Sequence, residues 1–173
     1  MILVLGEVPG VEVTNLMARA GSDGPGKRGP VVDARSLQSG QRPLGVLREG
    51  DKLHILAGEN CPGVKSPEHL IDLLAALGLE PAVRLKQIHL LIPGAGQGGQ
   101  SCFAARFAQS LAGLNFQVQE VKAPSGRIRC DASGKIWIYS EASEEWAPSV
   151  PALNSYWGPG VAPKHRSGGG QEK

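Results

Sequence analysis

Apolar residues in this 173-residue chain come in short runs separated by glycine- and proline-rich stretches. "ILVL" (2–5) stops at Gly6 and predicts a first strand. "VEVTNLMARAG" (11–21) places Val11, Leu16, Met17 and Ala20 on one side and predicts a helix ending at Gly21. "GSDGPGKRGP" (21–30) is a loop by its glycine and proline density. "VVDAR" (31–35) and "PLGVL" (43–47), separated by "SLQSGQR", read as a two-stranded hairpin. "KLHILAG" (52–58) is the strongest early strand. "SPEHLIDLLAALG" (66–78) carries every helix signal: Ser66 as cap, Pro67 in the first turn, Gly78 at the stop, and an apolar face of Leu70, Ile71, Leu73, Leu74 and Leu77.

The second half continues the alternation. "KQIHLLI" (86–92) predicts a buried strand. "SCFAARFAQSLAG" (101–113) predicts a helix capped by Ser101, with a stripe of Phe103, Phe107 and Leu111. "NFQVQEVKA" (115–123) alternates strictly, as a strand does. "RIRCDASGKIWIY" (127–139) predicts a hairpin turned at Ser133-Gly134. Beyond Tyr139 the pattern fades, and Trp146, Tyr156 and Trp157 are expected to pack back on the domain. Strands alternating with helices predict an α/β fold: a mostly parallel central sheet with helices on both faces and antiparallel hairpins at its edges. Residues 1–157 form one domain in this reading, and 158–173 a flexible tail.

Composition narrows the function classes. Hydrophobic residues make up 41% and charged residues 20%, as in an ordinary globular domain. The net charge of +2 is too small to argue for nucleic acid, so no nucleic-acid partner is expected. Three cysteines, Cys61, Cys102 and Cys130, show no metal-ligand spacing, which fits reduced thiols and no metal. The start "MILVLGEVPG" lacks the basic leader and length of a signal peptide, and no run is long enough to span a membrane. The expected location is the cytoplasm of the producing cell, with export by a non-classical route left open.

The sharpest local signal is "LLIPGAGQGGQSCF" (90–103), a strand running through a glycine loop into a helix. Gly94, Gly96 and Gly99 spell the G-x-G-x-x-G of dinucleotide sites, and Glu120 stands about 20 residues beyond, where a ribose-binding acid belongs. At least four strands precede this loop, whereas the fingerprint follows the first strand of its fold. Three readings stay open: a dinucleotide site, a site for another anion, and a plain strand-to-helix connection.

The order and spacing of "DKLHILAGENC", "SPEHLIDLLAALGL", "KQIHLLIPGAG" and "CFAARFAQSLAGLNFQVQEVKAPSGRIRCDASGKIWIY" resemble the self-cleaving cysteine protease domain of MARTX and large glucosylating toxins, a caspase-like family. The resemblance covers residues 1–157 or so and implies a caspase-like fold. In that family a histidine ends the first core strand and a cysteine ends the second, as base and nucleophile. Here those positions fall on Gly58 and Pro93, neither of which can do that chemistry. The resemblance therefore implies a pseudoprotease that binds a protein, a peptide or an anion. Its fallback is an active peptidase with relocated residues, Cys61 or Cys102 with His89; His54 and His69 are the other nearby imidazoles. Cys102 sits where a helix dipole favours negative charge. The family's activator, inositol hexakisphosphate, is the cofactor the resemblance allows; none is otherwise expected. Lys122, Arg127, Arg129 and Lys135 are the candidate anion-binding set, with Glu120 and Asp131 among them.

Overall fold

A computed structural model describes residues 1–22, 30–58, 60–140, 143–148 and 153–156. Strands β1 (Ile2–Val4), β2 (Val31–Asp33), β3 (Lys52–Leu56), β4 (Gln87–Leu91) and β5 (Val121–Pro124) run parallel, and β9 (Leu153–Tyr156) pairs antiparallel with β5, in the order β2-β1-β3-β4-β5-β9. A second, antiparallel sheet consists of β6 (Ile128–Cys130), β7 (Ile136–Ser140) and β8 (Glu145–Pro148). The fold is α/β, as the alternating pattern predicts.

Side-chain alternation along the strands builds two cores. On one face Leu3, Leu53, Ile55, Ile88, Leu90 and Val121 pack against α2 (Pro67–Ala76) and α3 (Phe103–Gly113), through Leu70, Ile71, Leu74, Phe107 and Leu111. On the other face Ile2, Val4, Leu56 and Leu91 meet Leu16 of α1 (Val13–Ser22) together with Ile128 and Ile138 of the small sheet. Helices therefore cover both faces, and the small sheet shares one of them with α1.

Helix α2 forms as its signals require. The Ser66 hydroxyl accepts from the His69 amide at 3.2 Å, Pro67 opens the helix, and Gly78 leaves it with φ +100°. The helix buries Leu70, Ile71 and Leu74. At α3 the cap is one residue later than predicted. Ser101 ends a short 3-10 turn, Gly99–Ser101, and the Cys102 sulfur accepts from the Ala105 amide at 3.3 Å.

Three expectations are corrected. The 31–47 hairpin does not form: β2 pairs with β1 in parallel, and Pro43–Val46 is a 3-10 turn that buries Leu44 and bonds to the Leu77 carbonyl at the end of α2. A long-range partner outbid the local turn between two short apolar runs. The strand predicted over 115–123 enters the sheet only at Val121, preceded by a single parallel bridge from Val118 to Leu85. The late hairpin turns at Gly134, with φ +74°, but it belongs to the separate sheet and gains β8 as a third strand carrying Trp146. Tyr156 takes its place in β9; most of the 21–30 loop, Trp157 and the 158–173 tail lie outside the described residues.

No helix among the described residues is long and apolar enough to cross a membrane.

Candidate functional site

Topology fixes where a site can open. From β1 the chain crosses through α1 to β2 on one side, then returns to β3 on the other side of β1. The connections leaving β1 and β3 diverge, and a crevice forms at the carboxyl ends of these strands, where α/β sheets bind ligands. A cleft of about 1300 Å³ lies there. Its floor is Leu5–Glu7 after β1, Gly58, Asn60 and Cys61 after β3, and Pro93 after β4. Arg35 just beyond β2, Arg127 just before β6, Arg129 of β6 and Trp146 of β8 also line it.

The two positions matched to the family's catalytic pair, Gly58 and Pro93, thus lie in one cleft. The structure gives Gly58 a further reason to be glycine: a Cβ there would overlap the Glu7 carbonyl oxygen. Gly6 is likewise crowded, since its Cβ would stand 3.0 Å from the Cys61 sulfur. The loops after β1 and β3 are therefore packed backbone to backbone.

The fallback nucleophiles and base are not brought together. Cys61 lines the cleft, but its thiol contacts the Leu5 carbonyl at 3.5 Å, and no histidine lines the cleft among the described residues. Cys102 is buried with the α2–α3 core and serves as a helix cap. His89 lies on the opposite face of the sheet from Cys102, in the middle of β4. Its ring meets the His54 ring edge-on at 4.5 Å, and its Nε2 contacts Gln87 Oε1 at 3.3 Å. Burial, reinforced by Lys122 and Lys52, lowers its pKa to about 4. His69 is exposed on α2.

The glycine loop is also accounted for. The Gly94 amide donates to the Gly126 carbonyl at 3.2 Å and the Gly96 amide to the Pro124 carbonyl at 2.8 Å. Ala104 at the start of α3 donates to Ala95, and Ala105 to the Cys102 sulfur. The amides of Gly94 and Gly96, two of the three fingerprint glycines, thus stitch the loop to the end of β5 and the connection beyond it. Gly99 keeps φ +63° with nothing near it. Glu120, the ribose candidate, accepts from Gln87 Nε2 at 2.5 Å and faces Lys122 at 3.6 Å.

The candidate basic set divides. Arg127 and Arg129 line the cleft, whereas Lys122 pairs with Glu120 on the central sheet and Lys135 lies 4.2 Å from the Trp137 ring. Neither lysine is among the cleft-lining residues. Neither cleft arginine has a carboxylate partner among the described residues; each lies over a ring, Arg127 over Tyr139 at 4.7 Å and Arg129 over Trp146 at 4.3 Å. Asp131, adjacent in sequence, accepts from the Ser133 hydroxyl and amide, the Trp137 indole and the Lys135 amide. The hydrogen bonds from Ser133 and then Trp137 hold its carboxyl well below the usual carboxylate range.

Arg35 and Trp146 were not legible as site residues. Arg35 is gripped by Asp33 through bonds of 2.9 and 2.7 Å, a fork that also lowers the Asp33 pKa, and it leans 3.6 Å from Glu7. Only the parallel placement of β2 carries it to the cleft.

No group of three or more His, Cys, Asp or Glu side chains is placed to hold a metal among the described residues. No protein-family model matches the chain, and no curated protein matches it.

Proposed function

We propose that this chain is a catalytically silent binding module of the caspase-like, toxin-protease type, and that its switch-point cleft holds an anionic group of its partner. The observation that carries the reading is that Arg127 and Arg129 line the same cleft as Gly58 and Pro93, with no histidine lining it among the described residues. Where the resemblance would place a base and a nucleophile, this chain has a backbone-filled glycine and a proline. What remains is a concave surface with guanidinium groups on its wall, suited to a carboxylate or phosphate. The strand order, with the antiparallel sheet beside the carboxyl ends, supports the caspase-like reading. Inositol hexakisphosphate is the first anion to try on the strength of the family resemblance.

The test is thermal denaturation and calorimetry with inorganic phosphate, inositol hexakisphosphate and an acidic peptide. A ligand at 100 times its Kd stabilises by about 2.7 kcal/mol. The reading expects a shift with at least one of the three that is lost in Arg127→Ala/Arg129→Ala. No shift with any of them, or a shift that survives the double substitution, overturns it.

A further inference from the structure

We infer that the outer face of the small antiparallel sheet is a stacking platform for single-stranded nucleic acid, which shares Arg127, Arg129 and Trp146 with the cleft wall but does not rest on the reading of the cleft. The sheet has two unlike faces. Ile128 and Ile138 point inward and are 3% and 1% exposed, which anchors it to the core. Alternation turns Arg127, Arg129, Lys135, Trp137, Tyr139 and Trp146 the other way. The three cation–π contacts found among the described residues all lie on this face, with Arg127 over Tyr139, Arg129 over Trp146 and Lys135 over Trp137. In a chain with three tryptophans and two tyrosines, this concentrates much of the planar surface beside three cations.

The platform is held in place. Asp131 fixes the Trp137 indole by a 2.8 Å bond to its Nε1. Tyr139 and Trp146 pack at 5.4 Å between centroids. Trp137 and Tyr139 stand two residues apart on one strand, ~6.8 Å by strand geometry, so each can take its own base. Asp131, beside these cations, is turned inward by its four donors. The face therefore presents rings and positive charge together, although the whole chain carries only +2. That whole-chain average is what makes nucleic acid look excluded from sequence.

The chemistry selects the occupant. Rings add nothing to the capture of a sulfate or phosphate alone, and an acidic peptide supplies no planar partner. An unpaired base supplies the plane and its backbone the charge, and bases stack on guanidinium groups as well as on rings. Arg127 and Arg129 can hold a base on their free faces while donating to phosphates. Lys135, on a flexible stem, can swing from Trp137 to a phosphate and free the indole. A duplex hides its bases from such a face.

The experiment is fluorescence anisotropy of end-labelled oligothymidine and oligouridine on the full chain, with tryptophan quenching as the second readout. Saturable binding with quenching is expected. Three phosphate contacts on a single strand give a log–log salt slope of about −2, hence roughly 16- to 20-fold weaker binding at 200 mM than at 50 mM salt. Trp137→Ala weakens binding by about fivefold or more, as loss of one stacked base does; Trp137→Phe restores part of it. Lys135→Glu, on a partly exposed side chain, serves if Trp137→Ala fails to fold. No saturable binding at 50 mM salt overturns the inference. So does equal affinity for a duplex, or displacement by inositol hexakisphosphate from complexes that show no quenching, since either means plain polyanion binding. Trp137 and Lys135 are not cleft-lining residues, so failure here and failure of the cleft reading are told apart.

Discussion

The backbone carbonyl of Glu7 occupies the space in which a side chain on residue 58 would begin. The absence of a side chain at this position is thus built into the packing of the β1 and β3 loops. Installing a pair as Gly58→His/Pro93→Cys should give no thiol-dependent cleavage of a fluorogenic peptide, because the new imidazole must first push the Glu7 loop aside. Gly58→Ala alone should destabilise the fold by about 1–3 kcal/mol, the range for overpacking a filled site. Urea denaturation checks the second expectation. Turnover in the double variant, or an alanine variant as stable as the parent, would show that the loop yields easily.

Cys102 and Cys61 should separate in function and in reactivity. Cys102 caps α3 through its sulfur and is 5% exposed. Cys102→Ser keeps an acceptor for the Ala105 amide and should stay close to the parent in stability. Cys102→Ala leaves that amide without its side-chain acceptor, at about 1 kcal/mol. Cys61 is partly exposed at the cleft. A thiol reagent should therefore modify Cys61 in the native protein and Cys102 only on unfolding. Mass spectrometry of the modified peptides decides this, and fast native modification of Cys102 would contradict the burial argument.

The sequence draws α2 almost to the residue, because Ser66, Pro67 and Gly78 act locally. The cap of α3 was misplaced by one residue because serine is the ordinary capping side chain and cysteine is not. The 31–47 segment was misread for a deeper reason. Short apolar runs around a glycine-containing turn describe a hairpin locally, yet β2 finds its partner in β1, some 29 residues earlier by register. The same long-range pairing carries Arg35 to the cleft, so that side of the site stayed hidden with it. Lys122 parts from the two arginines because alternation assigns a face within one sheet but cannot say that β5 and β6 belong to different sheets.

The glycine loop makes a prediction for hydrogen exchange. If its amides stitch it to the β5–β6 connection, those of Gly94 and Gly96 should exchange slowly for a loop, with the stability of the surrounding sheet. Adding a dinucleotide should leave their rates as they are, because both amides already donate, to the Gly126 and Pro124 carbonyls. Gly94→Ala, at φ +69°, should lower stability by about 1 kcal/mol or more through backbone strain. Fast exchange at both amides, or protection on adding the nucleotide, would reopen the fingerprint reading.

His89 should make folding sensitive to mild acid. It is 7% exposed, and burial, then Lys122 and Lys52, lower its pKa from 6.5 to about 4, with Glu120 opposing. The folded state keeps the ring neutral in the range where the unfolded chain takes up a proton. Between pH 6.5 and 4 the unfolded state therefore binds more protons, so stability rises with pH. This contribution is fully present above pH 6.5 and fades as the pH falls towards 4, by at most about 3 kcal/mol. His89→Gln keeps a polar side chain beside Gln87 and removes the titration. Urea midpoints at pH 4.5 and 7.0 should differ less in the variant than in the parent. The depressed carboxyls of Asp33 and Asp131 act mainly below this window, because their unfolded values lie near 3.8. Parallel pH profiles for parent and variant would mean that His89 accepts its proton inside the fold with no penalty, and that the polar row on β3, β4 and β5 is wetter than its burial implies.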